Sequence, residues 1–129
     1  MVHMSVAAKL QIKPGGTVAV LHQPDGVDLE LVQESSADSD PESADTVIMF
    51  VTNRAELDER ARPFLEAASR DALAWLAYPK AGQLDTDLNR DSLWELLGAR
   101  GIRPVRQIAI DDTWTALRFR PGVSSPPRR

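Results

Sequence analysis

Two apolar runs decide most of what this chain can fold into. Thr46-Val47-Ile48-Met49-Phe50-Val51 and Ala72-Leu73-Ala74-Trp75-Leu76-Ala77-Tyr78 are continuous rather than alternating. Strands of that kind belong in a parallel sheet covered on both faces. Between them, Asn53-Arg54-Ala55-Glu56 has the form of a capping box, with Asn in place of Ser or Thr. Leu57, Ala61, Phe64, Leu65 and Ala68 then recur at helical spacing. Pro63 is expected to kink or restart that helix, because it removes a backbone donor. Strand, helix and strand in this order predict a right-handed crossover between parallel strands.

The flanking segments extend the pattern. Residues 5–11 read as a short helical turn, and Pro14-Gly15-Gly16 as a turn. Thr17 to Leu21 is a short buried strand, broken by Gln23-Pro24-Asp25-Gly26. Val27 to Gln33 alternates loosely and predicts a half-buried strand. Asp87 or Asn89 can cap a helix over roughly 88–100, with Gly101 at its left-handed C-terminal cap. Val105 to Ile110 and Trp114 to Phe119 are strands joined by Asp111-Asp112-Thr113. That link is too short for a crossover, so the two must form an antiparallel hairpin. The expected fold is therefore α/β: a three-layer, Rossmann-like domain over 9–120 whose mostly parallel sheet ends in an antiparallel hairpin. Residues 1–8 read as an extension that opens with a cloning-scar pattern, Met1-Val2-His3-Met4. Residues 34–44 read as a flexible acidic loop and 121–129 as a disordered tail.

Composition excludes several classes of function. The chain of 129 residues suits one domain. It has no cysteine, so disulfides, thiolate metal sites and cysteine nucleophiles are ruled out. With His3 set aside only His22 remains, and no metal site is expected. No run approaches the ~18 apolar residues of a membrane span, and the opening residues lack the form of a signal peptide. The expected compartment is the cytoplasm, with no membrane partner. The net charge of −4 is unevenly spread. No Lys or Arg occurs from Pro14 to Asn53, whereas Arg100, Arg103, Arg106, Arg118, Arg120, Arg128 and Arg129 crowd the C-terminal third. An acidic chain with three lysines, Lys9, Lys13 and Lys80, is a poor nucleic-acid binder. Phosphate-loop and nucleophile-elbow motifs are absent from the sequence.

Several short motifs carry a resemblance. Lys13-Pro14-Gly15, Ala44-Asp45 with its strand, Tyr78-Pro79-Lys80, Thr86-Asp87-Leu88-Asn89-Arg90-Asp91, and Asp111-Asp112-Thr113-Trp114 with Arg118-Phe119 follow one another over residues 9–120. In that order they resemble a family of small bacterial proteins known as a domain of unknown function. The sheet with its terminal hairpin resembles the S-adenosylmethionine-dependent methyltransferase fold. That resemblance implies a fold and no particular reaction. The methyltransferase pattern has a glycine-rich turn after the first strand, whereas this chain reads Leu21-His22-Gln23-Pro24-Asp25-Gly26. No cofactor is therefore expected, with S-adenosylmethionine as the one candidate to test.

In open α/β sheets ligands bind beyond the carboxyl ends of the strands. The residues expected to gather there are His22, Asn53, Tyr78, Lys80, Asp87, Asn89, Arg90, Asp111, Asp112 and Trp114. Each also has a structural reading. His22 is either a base near neutral pH or a hydrogen-bonded structural residue. Lys80 either binds an anion or pairs with Asp111 or Asp112. Asp87 and Asn89 either contact a ligand or cap the helix. Arg90 either recognises phosphate or carboxylate or bridges Asp87 or Asp91. Trp114 either stacks on a ligand or fills the core. The Tyr78–Pro79 turn is one where a cis peptide can occur. Two functions compete. One is a non-catalytic module that binds a protein partner or a small ligand, with a homodimer through the edge of the C-terminal hairpin. The other is an atypical methyltransferase-like enzyme acting on a nucleotide-like ligand at the strand ends.

Overall fold

The run Thr46–Phe50 forms a strand, β2, in which every residue is buried. A computed structural model describes residues 5–12, 16–30, 40, 42–80, 82–84 and 86–122. Its strands are β1 (Val18–Leu21), β2 (Thr46–Phe50), β3 (Leu73–Pro79), β4 (Ile102–Ala109) and β5 (Trp114–Pro121). Its helices are α1 (Val6–Lys9), α2 (Arg54–Ser69) and α3 (Arg90–Gly98).

The five strands make one sheet in the order β1-β2-β3-β5-β4. β1, β2 and β3 run parallel, with Val18 opposite Thr46 and Thr46 opposite Leu73. β5 runs antiparallel to both neighbours, with Tyr78 opposite Thr115 and Gln107 opposite Leu117. The hairpin is thus antiparallel, as its short link demands, but the last strand lies inside the sheet and β4 is the edge. That edge carries Pro104, exposed Val105 and Arg106, and a register shift between 104 and 106. Proline, bulges and charges of this kind oppose pairing with another strand.

Packing divides the core by the two faces of the sheet. On one face Leu57, Ala61, Phe64 and Ala68 of α2, with Leu93 and Leu97 of α3, cover Val47, Met49, Leu76 and Leu117. Phe64 and Phe119 meet edge to face at 5.6 Å. On the other face Val6 and Leu10, with Leu29, cover Ile48, Phe50, Trp75 and Ala116. The Trp75 indole N–H donates to the Leu10 carbonyl at 3.0 Å, which pins the α1 turn to the sheet. The three layers are therefore unequal, with about one helical turn, α1, opposing two full helices.

Local sequence explains the helix ends. Asn53 caps α2 by accepting from the Glu56 N–H at 2.9 Å. The Glu56 carboxylate reaches back one residue further than a capping box requires, to the Thr52 N–H at 2.7 Å. Asn89 and Ser92 form a complete capping box on α3. Gly101 follows that helix with φ +87°, a conformation that L side chains rarely adopt.

Four expectations change. α2 is one helix through Pro63 and does not restart there, because that residue lies at the partly exposed side, where the Glu59 carbonyl it deprives of a partner can face water. Residues 27–30 are not a strand: Glu30 has φ 55° and its N–H is taken by Asp28 at 2.8 Å, while 31–33 lie outside the described residues. No cis peptide occurs among the described residues, so Tyr78–Pro79 is trans. Pro121 closes β5 opposite Ile102 instead of starting a tail. Most of the acidic 34–44 segment, residues 1–4 and residues 123–129 fall outside the described residues.

Candidate functional site

Because β1 to β3 are parallel and β4 shares their direction, one edge of the sheet gathers His22, Asn53, Lys80 and the 111–113 turn. At that edge a cleft of about 300 Å³ opens between β3, the hairpin and the start of α3. Tyr78, Lys80, Asn89, Arg90, Gln107 and Thr115 line it. Four of these six were expected from the sequence. Gln107 and Thr115 were not, since their place depends on β5 pairing with β3.

Tyr78 forms the buried floor, with 3 % of its surface exposed. Burial pushes its phenol above the usual value, with the positive charge of Arg90 pulling the other way. The Gln107 side-chain amide donates to the Tyr78 hydroxyl oxygen at 3.4 Å and to the Thr115 hydroxyl at 3.3 Å. Thr115 in turn donates to the Ile108 carbonyl at 2.9 Å. Among the described residues no hydrogen bond takes up the phenolic proton itself. Lys80 contributes an ammonium with no carboxylate within 4.0 Å among the described residues. Arg90 lies 3.9 Å from Asp91 in a solvent-exposed pair, which holds it weakly. Among the described residues the cleft lining thus has two cations and two hydroxyls and no carboxylate.

The other expected residues serve neighbouring jobs. Asp87 accepts from the Arg54 N–H at 2.9 Å, so it caps the next helix over, α2, and not its own. Asn89 caps α3 while also forming the rim of the cleft. Asn53 caps α2. Asp111 closes the hairpin turn by accepting from the N–H groups of Thr113 and Trp114 at 2.8 and 2.7 Å. The tie between β3 and this turn is made by backbone, Lys80 N–H to Thr113 carbonyl at 2.8 Å, and not by a Lys80 ion pair. Asp112 is exposed. Trp114 is buried on the opposite face of the sheet, edge to face with Phe50 at 5.3 Å. His22 is exposed at the end of β1 with φ 61°, two strands from β3 and so roughly 10 Å across the sheet.

Other hollows offer less. A cleft between α2 and α3 sets Arg54 and Arg100 against Asp58 and Glu95, leaving no net charge to recognise. Among the described residues no three histidine or carboxylate side chains come together to hold a metal ion. No helix of the described residues is long and apolar enough to cross a membrane.

This architecture is a Rossmann-like α/β fold. It is similar to a solved structure from Streptococcus agalactiae described as a protein in the NADB-Rossmann superfamily. The TM-score is 0.50 at 9 % identity, over 97 % of this chain and 71 % of that one. At that identity the likeness shows the fold alone. No family model matches the sequence, and no curated protein matches it.

Proposed function

We propose that this chain is a non-catalytic Rossmann-like module that binds a small anionic ligand in the strand-end cleft. One observation carries the reading: among the described residues, Lys80 and Arg90 line a cleft with no carboxylate in its lining, above the buried Tyr78 phenol. Charge-assisted hydrogen bonds from such groups are the strong ones. The start of α3 adds a favourable dipole for an anion. The cytoplasm, which the lack of cysteine favours, would supply abundant phosphorylated and carboxylated metabolites.

The alternative is a methyltransferase-like enzyme of the small bacterial family that the sequence resembles. The insertion of β5 between β3 and β4 favours that type of sheet. The turn after β1 does not fit its cofactor. His22 stands where close approach of backbone needs glycine, Pro24 lacks an N–H, and no helix begins within 22–30. No step is therefore assigned to S-adenosylmethionine.

A thermal-shift screen tests the choice, with orthophosphate, S-adenosylmethionine, S-adenosylhomocysteine and adenine nucleotides on wild type and Lys80→Ala. A ligand at a hundred times its dissociation constant adds about 2.7 kcal/mol. Stabilisation by phosphate compounds that Lys80→Ala abolishes is expected. Stabilisation by the adenosyl compounds alone, indifferent to Lys80, would replace the binding-module reading with the enzyme.

A second reading rests on the opposite face of the hairpin. Arg103 lies across from Arg120, and Arg106 across from Arg118. Like charges in such positions repel, and among the described residues only Arg120 has a carboxylate, Asp71. An acidic protein surface would relieve the rest. Arg103→Glu with Arg106→Glu should then release a partner co-purified with the wild type, and retention of that partner would remove this reading.

A further inference from the structure

Most side-chain acceptors in the strand-end cleft are already used. The Thr115 hydroxyl gives its proton to the Ile108 carbonyl at 2.9 Å, so its oxygen can only accept. The Gln107 atom that meets it at 3.3 Å must therefore be the amide nitrogen, which also reaches the Tyr78 oxygen at 3.4 Å. This network fixes which way round the Gln107 amide lies. Its carbonyl Oε1 is left without a donor among the described residues. Asn89 Oδ1 is taken by the Ser92 N–H at 2.8 Å. The lining thus keeps one open side-chain acceptor, Gln107 Oε1, beside the Lys80 ammonium, the Arg90 guanidinium and the Tyr78 phenol as donors.

We propose that the cleft selects inorganic hydrogenphosphate, an anion that still carries a proton of its own. This rests on the anion-binding reading of the cleft and narrows it. The bare phosphate oxygens accept from Lys80, Arg90 and the Tyr78 phenol, and the P–OH group donates to Gln107 Oε1. A ligand ammonium in that place would meet two cations, so the donor that suits the cleft is a neutral O–H. Sulfate has the same shape but no proton at neutral pH, and it sets an oxygen lone pair against Oε1. A phosphate monoester does the same above about pH 6, where its second proton leaves. Hydrogenphosphate keeps its proton there. Thr115 is a positioning residue in this scheme, because its hydroxyl orients the amide.

Isothermal calorimetry near pH 8 tests this with orthophosphate, sulfate and methyl phosphate, at fixed ionic strength because screening would otherwise blur the comparison. Wild type is expected to bind orthophosphate about tenfold more tightly than either of the others, the effect of one hydrogen bond to a charged group. Gln107→Met removes the acceptor and should bring the three affinities together. Thr115→Val frees the amide to turn and should narrow the preference, whereas Thr115→Ser should keep it. Gln107 is exposed, so its variant keeps the test valid even if a Thr115 variant folds poorly. Below about pH 6 methyl phosphate regains its proton and should gain on sulfate in wild type but not in Gln107→Met. Equal affinity for orthophosphate and sulfate, both lost in Lys80→Ala, would overturn the selectivity and leave the anion-binding reading standing. A preference that survived Gln107→Met would do the same. Binding of none of the three anions would overturn both.

Discussion

Arg120 holds both carboxylate oxygens of Asp71, at 2.9 and 2.8 Å, across 49 positions of sequence. The pair ties the end of β5 to the turn that launches β3, where Asp71 has φ 62°. The hydrogen bond from Arg120 holds the Asp71 carboxyl below its ordinary value; burial opposes this, and the charges of Arg120 and then Arg118 add to the lowering. A carboxylate whose folded pKa is depressed contributes stability above its unfolded pKa. That contribution is lost as pH falls through the folded value.

Asp71→Asn isolates the charge, because asparagine tolerates the left-handed backbone nearly as well as any residue but glycine. Its thermal midpoint is expected below wild type at pH 7. The two midpoints should converge once pH falls beneath the carboxylate range. A gap that persisted in acid would assign the effect to the backbone instead.

Trp75 makes a different kind of tie. Its side chain and Leu10 are both fully buried, and the indole N–H satisfies the Leu10 carbonyl. Trp75→Phe leaves that carbonyl without a donor, which costs about 1–3 kcal/mol, and opens a void besides. We expect loss of denaturant stability in this range or above it. Amide exchange should rise first in residues 6–10, because α1 has one turn and little else to hold it.

The caps test how the cleft is framed. Asp87→Ala strips an acceptor from the Arg54 N–H, and Asn89→Ala dismantles the box on α3. Each should cost about 1 kcal/mol. Their effects on ligand differ, since Asn89 lines the cleft and Asp87 does not. Asn89→Ala is expected to weaken phosphate binding and Asp87→Ala to leave it unchanged in calorimetry.

What was legible in the sequence was local or periodic. The continuous apolar runs gave β2 and β3, and Asn53 and Asn89 marked helix starts within one turn of their partners. The pairing of β5 with β3 was not legible, because no short-range rule places a terminal strand between two earlier ones. Gln107 and Thr115 were missed for that reason alone: once Tyr78 lies opposite Thr115, both follow from the register. Val27 to Glu30 misled because Leu29 is buried without being in a strand. Alternation reports burial, and a loop packed on a sheet can imitate it. The role of Asp87 was hidden in a similar way, since its partner Arg54 is 33 positions away.

Tyr78 offers the most direct probe of the cleft, because it is the chain's one tyrosine. Burial raises its phenol above 10.0, and the charge of Arg90 partly offsets this. Phenolate absorbance during an alkaline titration should therefore give a midpoint above 10.0 in wild type. Arg90→Gln removes the offset and should move that midpoint higher. The sign for stability follows from the same shift. The folded state favours the neutral phenol, so its contribution is whole below the unfolded pKa and is lost as pH rises through the folded one. Tyr78→Phe should accordingly lose less stability than wild type as pH rises beyond that point. It should also bind orthophosphate more weakly at neutral pH, since the donor at the floor of the cleft is gone. A wild-type midpoint at or below the ordinary value, unmoved by Arg90→Gln, would mean that water reaches the phenol and that Arg90 does not face it.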